Sequence, residues 1–343
     1  MTQQKRIIVT GATGLIGRAL CRRLIARGDQ VVVFSRNPAA AQQTVPGAAE
    51  YIAWEAADGG PWAAAVNGAD AVVHLAGANT FARRWNAAYK REIRESRVIS
   101  TRGLVAAMSR AAARPKVFVC GSAIGYYGSP GDTPLDESAP PGAGFLAEVV
   151  QAWERAAAAA ERLDIRTIML RTAVVIGGDT PGLPLPITLR GASLDRPGVV
   201  LDFERGVLPL MAMPFRFFLG GPIGNGQQWC SWIHLEDEVG LLLLALDDAR
   251  VSGPLNASSP EPVRNREFSA VLGRVLGRPS WLPLPYPALR LLVGEVAETL
   301  VASQRVIPAK ALALSYQFRY PTVEAALRAA LGQRGASLDE RGS

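Results

Sequence analysis

The chain has 343 residues, 49% of them hydrophobic and 20% charged, proportions that are typical of a globular protein and exclude intrinsic disorder. Its formal net charge of +7 would suit a nucleic-acid partner. However, the arginines are spread over the whole length, and the densest basic stretch, residues 83–102, also carries Glu92 and Glu95. We interpret that stretch as a solvated helix face and expect no nucleic-acid partner.

The sequence lacks the usual patterns of a metal site, a disulfide framework and a membrane span. The three cysteines, Cys21, Cys120 and Cys230, are far apart without Cys-x-x-Cys spacing, and only two histidines are present. We therefore expect no metal and a reducing compartment. The N-terminus leads straight into an apolar strand, and the longest apolar run, Leu241–Leu246, is far shorter than the ~20 residues of a membrane span. We expect a cytoplasmic protein with no membrane partner.

Short β-branched segments alternate with longer helical segments through the first half of the chain. The predicted strands are Ile7–Thr10, Val31–Phe34, Ala71–Leu75, Val117–Cys120 and Ile168–Ile176, and the predicted helices are Leu15–Ala26, Trp85–Ala113 and Phe145–Leu163. Gly28 follows the first helix at the position where a left-handed cap residue is expected. The alternation predicts βαβ units, and hence an α/β fold with a Rossmann-type doubly wound parallel sheet buried on both faces.

The pattern changes after about residue 177, where proline and glycine become frequent and apolar residues are irregularly spaced. Two later segments, Phe268–Leu276 and Tyr286–Ala302, are predicted to be helical, with prolines between them. We predict a Rossmann domain over residues 1–177 that the chain re-enters near residues 228–258. A smaller C-terminal lobe is expected to consist mainly of residues 178–343.

Residues 171–185 and 196–210 match at six positions with an offset of 25 residues. The match is either a chance result in a region rich in valine, proline and leucine or a local duplication with one copy in the sheet. In the second case we expect the first copy in the sheet, because it directly follows the strand segment Ile165–Leu170.

The segment TGATGLIG follows the first predicted strand and opens the first predicted helix. This is the context of a dinucleotide-binding turn: Gly11 permits the tight turn, Gly14 lets the backbone approach a pyrophosphate, and Gly17 lets the helix pack closely on the strand. The alternative is a glycine turn without a ligand.

Ser35 and Arg36 end the second strand, where an NAD-selective site usually carries a carboxylate for the adenosine ribose. A hydroxyl and a guanidinium at this place favour a 2′-phosphate, because arginine binds phosphate through two parallel hydrogen bonds. The sequence therefore predicts NADP rather than NAD as the cofactor. The alternative is that Arg36 is merely exposed at the surface.

Five motifs occur in the order found in extended short-chain dehydrogenases: TGATGLIG, HLAGA, GSAIGYYG, DESAP and WIHLED. Longer runs, among them RRWNAAYKREIRESR, RFFLGGPIGNGQQWCSWIH and SGPLNASSPEPVRNREF, resemble the epimerase-family branch. Members of that branch are sometimes labelled nucleotide-sugar epimerases or cell-division inhibitors. The resemblance covers about residues 5–331 and departs from the family by one extra segment around residues 180–200.

The resemblance implies that the pyrophosphate is held by Gly11, Thr13, Gly14, Leu15 and Ile16, and it implies further cofactor contacts beyond the glycine turn. Leu75 and Ala76 would line the path of the adenosine and ribose, and Val175 would approach the nicotinamide through its backbone. Glu92 and Arg97, on the helix after the HLAGA strand, would also contact the cofactor. The alternative for this last pair is an exposed helical pair.

Short-chain dehydrogenases normally use a Tyr-x-x-x-Lys pair, in which the lysine lowers the pKa of a tyrosine that acts as acid and base. No tyrosine of this chain has a lysine four residues later, and the helix at the expected place reads FLAEVV, Phe145–Val150. The family pattern leaves Ser122, Tyr126 and Tyr127 as catalytic candidates. Either tyrosine could donate a proton only if a cation lowered its pKa; an arginine could do this, but the sequence does not show which arginine is near. The alternative is that the two tyrosines pack a wall of the substrate site. His234, in the WIHLED run, resembles a structural junction residue.

Two functions fit these observations. The first is an NADP-dependent oxidoreductase or epimerase that acts on a small molecule such as a sugar nucleotide, through an altered acid/base group. The second is a non-catalytic NADP-binding regulatory or interaction protein, which the missing Tyr-x-x-x-Lys pair favours. The aromatic, proline-bounded lobe with Trp229, Trp232 and Trp281 indicates a real pocket and favours the enzyme. We expect a monomer or a homodimer.

Overall fold

The computed structural model describes residues 4–55, 59–177, 187–188, 200–201 and 208–332. Its strands are β1 (Arg6–Thr10), β2 (Gln30–Ser35), β3 (Glu50–Ala53), β4 (Ala71–His74), β5 (Val117–Ala123), β6 (Pro134–Leu135), β7 (Arg166–Thr172), β8 (Val174–Ile176), β9 (Ile187–Thr188), β10 (Val200–Leu201), β11 (Trp229–Cys230), β12 (Trp232–His234), β13 (Gly253–Ala257), β14 (Val263–Arg264) and β15 (Arg305–Val306). Its α-helices are α1 (Leu15–Ala26), α2 (Pro38–Thr44), α3 (Ala87–Arg110), α4 (Phe145–Ala158), α5 (Leu208–Arg216), α6 (Leu235–Asp247), α7 (Asn265–Leu276), α8 (Tyr286–Val293), α9 (Ala297–Leu300), α10 (Ala309–Ala313) and α11 (Val323–Ala330).

Seven of these strands form one parallel sheet in the order β13-β7-β5-β4-β1-β2-β3. From β1 the chain adds β2 and β3 on one side, and then crosses to add β4, β5, β7 and β13 on the other. The direction of winding therefore reverses between β1 and β4, and ligands of such sheets bind at the carboxyl ends of the strands beside this switch point. The predicted α/β fold with a Rossmann-type doubly wound parallel sheet is confirmed.

Helices cover both faces of the sheet, and alternate residues of β1 face different helices. Ile7 and Val9 are fully buried in a cluster with apolar side chains of α1 and α6. Ile8, between them in the sequence, is buried on the opposite face in a cluster with side chains of α3 and α4. Because the pleat alternates the two faces and both are covered, a buried parallel strand is apolar along its whole length.

The predicted elements of the first half agree with the structure except at their boundaries. The helix α1 occupies the predicted range, and Gly28 after it has the left-handed φ of 90° expected of a cap residue. The helix α3 is shorter than the predicted Trp85–Ala113, because Asn86 caps its first turn by accepting a hydrogen bond from the N–H of Tyr89. The helix α4 also ends earlier than predicted and continues as a 3-10 turn, Ala159–Leu163.

Two predicted elements were wrong. The predicted strand Ile168–Ile176 is two strands, because the N–H of Val174 donates to the carbonyl of Ser231 at 3.2 Å and the chain leaves the main sheet. The second part, β8, pairs with β12 instead. The predicted helix Tyr286–Ala302 is broken after α8, where Gly294 adopts a φ of 69°.

The second half of the chain contributes both to the main sheet and to a separate core. The strand β13 is the last strand of the sheet, next to β7, and α6 packs against α1. A separate apolar cluster contains Phe215, Trp232, Phe268 and Leu327, from α5, β12, α7 and α11. In the part of the chain that the structure describes, no helix has the length and apolar character that crossing a membrane requires.

The two segments that match at six positions, residues 171–185 and 196–210, lie in different surroundings. Arg171 and Thr172 of the first copy end β7 in the main sheet, whereas Val200 and Leu201 of the second copy pair with β9 in a separate two-stranded sheet. Within residues 178–207, the described residues are 187–188 and 200–201; the others lie outside the described part of the chain.

Candidate functional site

The three glycines of the turn between β1 and α1 do different things. Gly11 has a φ of 69°, and a Cβ built on it would lie 2.7 Å from the backbone nitrogen of Ala76. A Cβ on Gly17 would lie 2.2 Å from the carbonyl oxygen of Gly11, so Gly17 is required for the packing of α1 on β1. A Cβ on Gly14 would meet only that same oxygen, at 3.3 Å, and Gly14 is exposed. Gly14 thus keeps the backbone of the turn open to a ligand from solvent.

The N-terminus of α1 presents hydrogen-bond donors to the same space. Gly14 is its N-cap and offers no side-chain oxygen, and the first turn contains no acidic residue. The N–H groups of Leu15 and Ile16 have no hydrogen-bond partner among the described residues. Thr13 is exposed at the mouth of the turn, where its carbonyl accepts from Nη1 of Arg18 at 2.7 Å. Free N–H groups at the positive end of a helix dipole are suited to a phosphate.

Ser35 and Arg36 lie one strand away, at the carboxyl end of β2. Phe34 is in register with Thr10, which places both residues beside the glycine turn. The hydroxyl of Ser35 accepts from the N–H of Asn37 at 3.2 Å and so orders the turn into α2. Arg36 is exposed and makes no hydrogen bond or ion pair with any residue that the structure describes. Its guanidinium is therefore free to pair with an anion at this edge of the sheet.

A chain of hydrogen bonds fixes the backbone that follows β4. The N–H of Ala76 donates to Oγ1 of Thr10 at 3.3 Å, and Oγ1 of Thr10 lies 2.6 Å from Nδ1 of His74. The other ring nitrogen of His74 lies 3.0 Å from Oγ of Ser100. Burial lowers the pKa of His74 to about 3, so the ring is neutral and can accept on one side while it donates on the other. His74 is thus a positioning residue for Ala76.

Arg97 lies against the loop Leu75–Gly77. Its guanidinium carbon would be 3.1 Å from a Cβ built on Gly77, and Nη1 donates to the carbonyl of Ile93 at 3.0 Å. The guanidinium also lies 5.2 Å from the centre of the Trp153 ring. Burial lowers the pKa of Arg97 to about 10, and no carboxylate of the described chain pairs with it. An unpaired, partly buried cation next to this loop favours an anionic ligand there.

Glu92 and Val175, the other two predicted cofactor contacts, lie in different surroundings. Glu92 is exposed on α3, where its carboxylate lies 3.7 Å from Nη1 of Arg83. Val175 is the middle residue of β8 and is in register with Ile233 of β12. Both assignments stay predictions.

The three catalytic candidates surround a buried ion pair that we did not predict. Arg171, near the end of β7, donates from Nε and Nη2 to the two carboxylate oxygens of Glu154 on α4, at 2.8 and 2.9 Å. The side chains are only 3% and 9% exposed. Ser122 donates its hydroxyl hydrogen to Oε1 of Glu154 at 2.6 Å. The hydroxyl of Ser122 is therefore already engaged in this network.

The hydroxyl groups of the two tyrosines differ in whether they already have hydrogen-bond partners. Tyr127 is 1% exposed, and its hydroxyl accepts from Nη1 of Arg171 at 2.9 Å and donates to Oδ1 of Asn256 at 2.7 Å. Burial raises the pKa of Tyr127 to about 12, although Arg171 opposes the shift. Tyr126 is half-buried, and its hydroxyl has no hydrogen-bond partner among the described residues. The guanidinium carbon of Arg171 lies 3.5 Å from the centre of the Tyr126 ring. Of the three candidates, Tyr126 has the hydroxyl that is free for a substrate.

Apolar side chains occupy the place of the usual Tyr-x-x-x-Lys pair. The two tyrosines lie in a 3-10 turn, Ile124–Tyr127, which we call the tyrosine turn. Leu146 and Val150 of α4 face this turn, because a Cβ built on Gly125 would lie 3.5 Å from Cβ of Leu146 and 3.8 Å from Cγ2 of Val150. The cation beside the tyrosines comes instead from the sheet, as Arg171. Arg171 is thus an arginine that contacts both tyrosine rings.

His234 is a junction residue between β12 and α6. Its Nδ1 accepts from the N–H of Glu236 at 3.2 Å, and its ring packs on that of Tyr320 with centroids 4.0 Å apart. Burial lowers the pKa of His234 to about 4. Among the residues described by the structure, no group of three histidine, cysteine, aspartate or glutamate side chains is placed to hold a metal ion.

Comparison with known families agrees with this geometry. The model of the NAD dependent epimerase/dehydratase family matches residues 7–257. The chain belongs to this family. A second model, that of a domain of unknown function (DUF1731), matches residues 284–330.

Individual relatives specify the branch. The SDR39U1 homolog of Arabidopsis thaliana, an epimerase family protein named as chloroplastic, is 39% identical over 328 residues, which are 95% of this chain and 86% of the relative. The crystal structure of human epimerase family protein SDR39U1 (isoform 2) with NADPH superposes with a TM-score of 0.77 at 33% identity, over 96% of this chain and 100% of that one. A nucleoside-diphosphate sugar epimerase from Corynebacterium glutamicum superposes with a TM-score of 0.72 at 30% identity, over 96% of this chain and 59% of that one. The epimerase-family branch of the extended short-chain dehydrogenases is confirmed, whereas the expected cytoplasmic location stays a prediction.

Proposed function

We propose that the protein is an NADP(H)-dependent oxidoreductase or epimerase that acts on a small molecule such as a sugar nucleotide, with Tyr126 as the proton donor. The observation that carries the proposal is the order of groups along the carboxyl edge of the sheet. Tyr126 follows β5, the open turn at Gly14 follows β1, and Arg36 follows β2. The three strand spacings from β5 to β2 amount to roughly 15 Å, across the switch point where dinucleotides bind.

The residues at this edge fit NADPH. The glycine turn leaves room for the pyrophosphate, and the N–H groups of Leu15 and Ile16 would donate to it. Ser35 and Arg36 would hold the 2′-phosphate, which the human relative crystallised with NADPH also has to accommodate. The other proposed contacts are Gly11, Thr13, Leu75, Ala76, Glu92, Arg97 and Val175. In this proposal, residues 1–177 with the return near 228–258 hold the cofactor, and residues 178–343 mainly form the substrate side.

NADP(H) would exchange a hydride with the substrate when bound, and the protein has to supply or remove a proton at a neighbouring substrate oxygen. The free hydroxyl of Tyr126 is the group that we assign to this step. The guanidinium of Arg171 packs against the face of the Tyr126 ring and so fixes the position of the phenol. Glu154 holds the guanidinium of Arg171 in a fixed plane.

A substrate screen tests the proposal without presuming the reaction. Oxidation of NADPH and incorporation of solvent deuterium are measured over small carbonyl compounds and sugar nucleotides. Tyr126→Phe removes one hydroxyl but leaves the ring on Arg171, and we expect it to lower kcat by about 10²–10⁴-fold at unchanged NADPH affinity. Tyr127→Phe and Ser122→Ala are the matched variants, and we expect smaller losses from both. Full turnover in Tyr126→Phe would refute the assignment of the proton donor.

A non-catalytic NADPH-binding protein is the second candidate. It is favoured by Leu146 and Val150, which leave no phenol and no amine at the usual place on α4. Tight NADPH binding without turnover of any compound in the screen would support this candidate. The predicted monomer or homodimer is measured on the same samples by light scattering.

A further inference from the structure

A second group of charged and aromatic residues lies beside the tyrosine turn and has no part in the proposed hydride and proton transfer. It consists of Trp229 on β11, Arg264 on β14, Arg305 on β15 and Asp132 in the loop that follows the tyrosines. We refer to these four residues as the Trp229 cluster. The guanidinium carbons of Arg264 and Arg305 lie 4.2 and 4.8 Å from the centre of the Trp229 ring. Two cations therefore pack against one indole.

Asp132 is the one carboxylate that pairs with the cluster within the described parts of the chain. Its Oδ1 accepts from Nη1 of Arg264 at 2.8 Å and from Nε1 of Trp229 at 3.0 Å. The hydrogen bond from Arg264, and then that from Trp229 and the nearby arginine charges, lower the pKa of Asp132. The Asp132 side chain is 74% exposed, so it approaches the cluster from solvent. Two positive charges and one negative charge leave the cluster with a net charge of +1.

The guanidinium of Arg305 packs on the indole and has no hydrogen-bonded partner among the described residues. Its Nε is buried and unpaired, and the side chain makes no hydrogen bond or ion pair with a described residue. A buried donor without an acceptor costs folding free energy, and such groups are normally satisfied by water, an ion or a ligand. The unpaired Nε is therefore a donor that no described residue satisfies and that a bound anion would satisfy.

The cluster is held close to the proposed proton donor. Gln304, the residue before Arg305, donates from Nε2 to the carbonyls of Ile124 and Gly128 at 2.8 Å each, which are the two ends of the tyrosine turn. The hydroxyl of Ser303 donates to the carbonyl of Gly131 at 3.1 Å, next to Asp132. The segment that carries Arg305 and the loop that carries Asp132 are thus fixed to each other and to the tyrosine turn.

We propose that Arg264, Arg305 and Trp229 bind an anionic group of the substrate, a phosphate or a carboxylate, and that Asp132 occupies part of this site until the substrate displaces it. The inference rests on the proposed function and gives its substrate a negative charge. Guanidinium groups match phosphate and carboxylate oxygens through paired hydrogen bonds. An oxygen of such an anion would give Nε of Arg305 the acceptor that it lacks among the described residues.

Calorimetric titration of inorganic pyrophosphate and of gluconate into NADPH-saturated protein tests the site, because NADPH keeps these anions away from the glycine turn. We expect Arg305→Gln and Arg264→Gln each to weaken binding about tenfold or more, the effect of losing a hydrogen bond to a charged group. Asp132→Asn should strengthen binding, because it removes the competing carboxylate. Arg274→Gln removes the same charge at the other end of α7 and should leave binding unchanged. The preferred anion identifies the group as phosphate or carboxylate.

The test is decisive because the arginine variants should weaken anion binding whereas Asp132→Asn should strengthen it. Asp132→Asn alters an exposed side chain and is expected to fold, which circular dichroism and thermal unfolding check for every variant. Absence of anion binding, equal binding by wild type and Arg305→Gln, or weaker binding by Asp132→Asn would overturn the inference. If wild type fails to bind NADPH, the proposed function fails, and the comparison with Arg305→Gln without NADPH still decides whether the anion site exists.

Discussion

Arg171 and Glu154 form a two-pronged ion pair that joins the sheet to α4, with hydrogen bonds of 2.8 and 2.9 Å. Each partner also bonds a residue of the catalytic set, since Glu154 accepts from Ser122 and Arg171 donates to Tyr127. The same guanidinium lies under the ring of Tyr126. The packing of α4 and the position of the proposed proton donor therefore depend on the same two side chains.

Glu154→Met is expected to lower the free energy of unfolding by about 3–5 kcal/mol, because it leaves the buried guanidinium of Arg171 without its counter-charge. The double variant Arg171→Met/Glu154→Met should recover most of that loss, since apolar side chains of similar volume need no partner. Urea unfolding followed by circular dichroism measures both. Arg250→Met, which breaks a surface pair with Asp248, is the control and should change the free energy of unfolding little. A Glu154→Met protein as stable as wild type contradicts this account of the pair.

Arg36→Ala is expected to weaken NADPH binding by about 1–3 kcal/mol and to leave NADH binding almost unchanged. The reason is that only NADPH carries the 2′-phosphate and that Arg36 has no other partner among the described residues. Calorimetry with both cofactors gives the four affinities. Arg250→Ala, another exposed arginine, controls for the loss of charge. Equal affinities of the wild type for NADPH and NADH would rule out the proposed 2′-phosphate site.

Gly14→Val is expected to lose NADPH binding, whereas Gly17→Ala is expected to lose stability. The Cβ on Gly14 meets one backbone oxygen at 3.3 Å and points into open space, so the variant should fold but block the approach of the pyrophosphate. The Cβ on Gly17 would lie 2.2 Å from the Gly11 oxygen, so this variant should lose stability by about 1–3 kcal/mol or more. NADPH titration and thermal unfolding separate the two. Normal NADPH binding by Gly14→Val would show that the phosphates lie elsewhere.

The parts of the site that follow one another along the chain could be predicted from the sequence. The glycine turn and Ser35–Arg36 each depend on a strand followed directly by a turn, and the parallel sheet brings their ends together. The ion pair could not be found in this way, because Arg171 and Glu154 are 17 residues apart on different elements. Helix spacing alone does not tell which face of α4 meets β7. A signal was present in Arg171 itself, since a charge inside an apolar strand needs a buried partner.

The two wrong elements have a common cause. Apolar residues continue from β7 into β8, although the strand exchanges its neighbour for β12 at Ala173, and hydropathy does not record which strand is the neighbour. In the same way, the apolar pattern of Tyr286–Ala302 continues through Gly294, where the backbone turns. Tertiary contacts decide both points, and a single sequence does not contain them.

Glu238 on α6 is a carboxyl group without a cation partner in the described structure. It is fully buried, and Oε1 accepts from the hydroxyl of Thr172 at 2.7 Å, whereas Oε2 has no hydrogen-bond partner. Burial raises the pKa of Glu238 to about 8, and the hydrogen bond from Thr172 only partly opposes this. The side chain is therefore protonated at neutral pH in the folded protein.

We expect Glu238→Gln to be more stable than wild type near pH 8 and equally stable below about pH 4.3, the ordinary pKa of a glutamate. At the lower pH the carboxyl is protonated in both the folded and the unfolded state. As the pH rises towards 8, the unfolded chain loses this proton while the folded protein keeps it, so the wild-type free energy of unfolding falls by up to about 1.4 kcal/mol per pH unit. Glutamine has no proton to lose, and urea unfolding of both proteins over this range measures the growing difference. Glu236→Gln, which changes a half-buried carboxylate on the same helix, should show the same pH dependence of stability as the wild type. A difference between wild type and Glu238→Gln that is independent of pH would show that Glu238 is ionised in the folded protein.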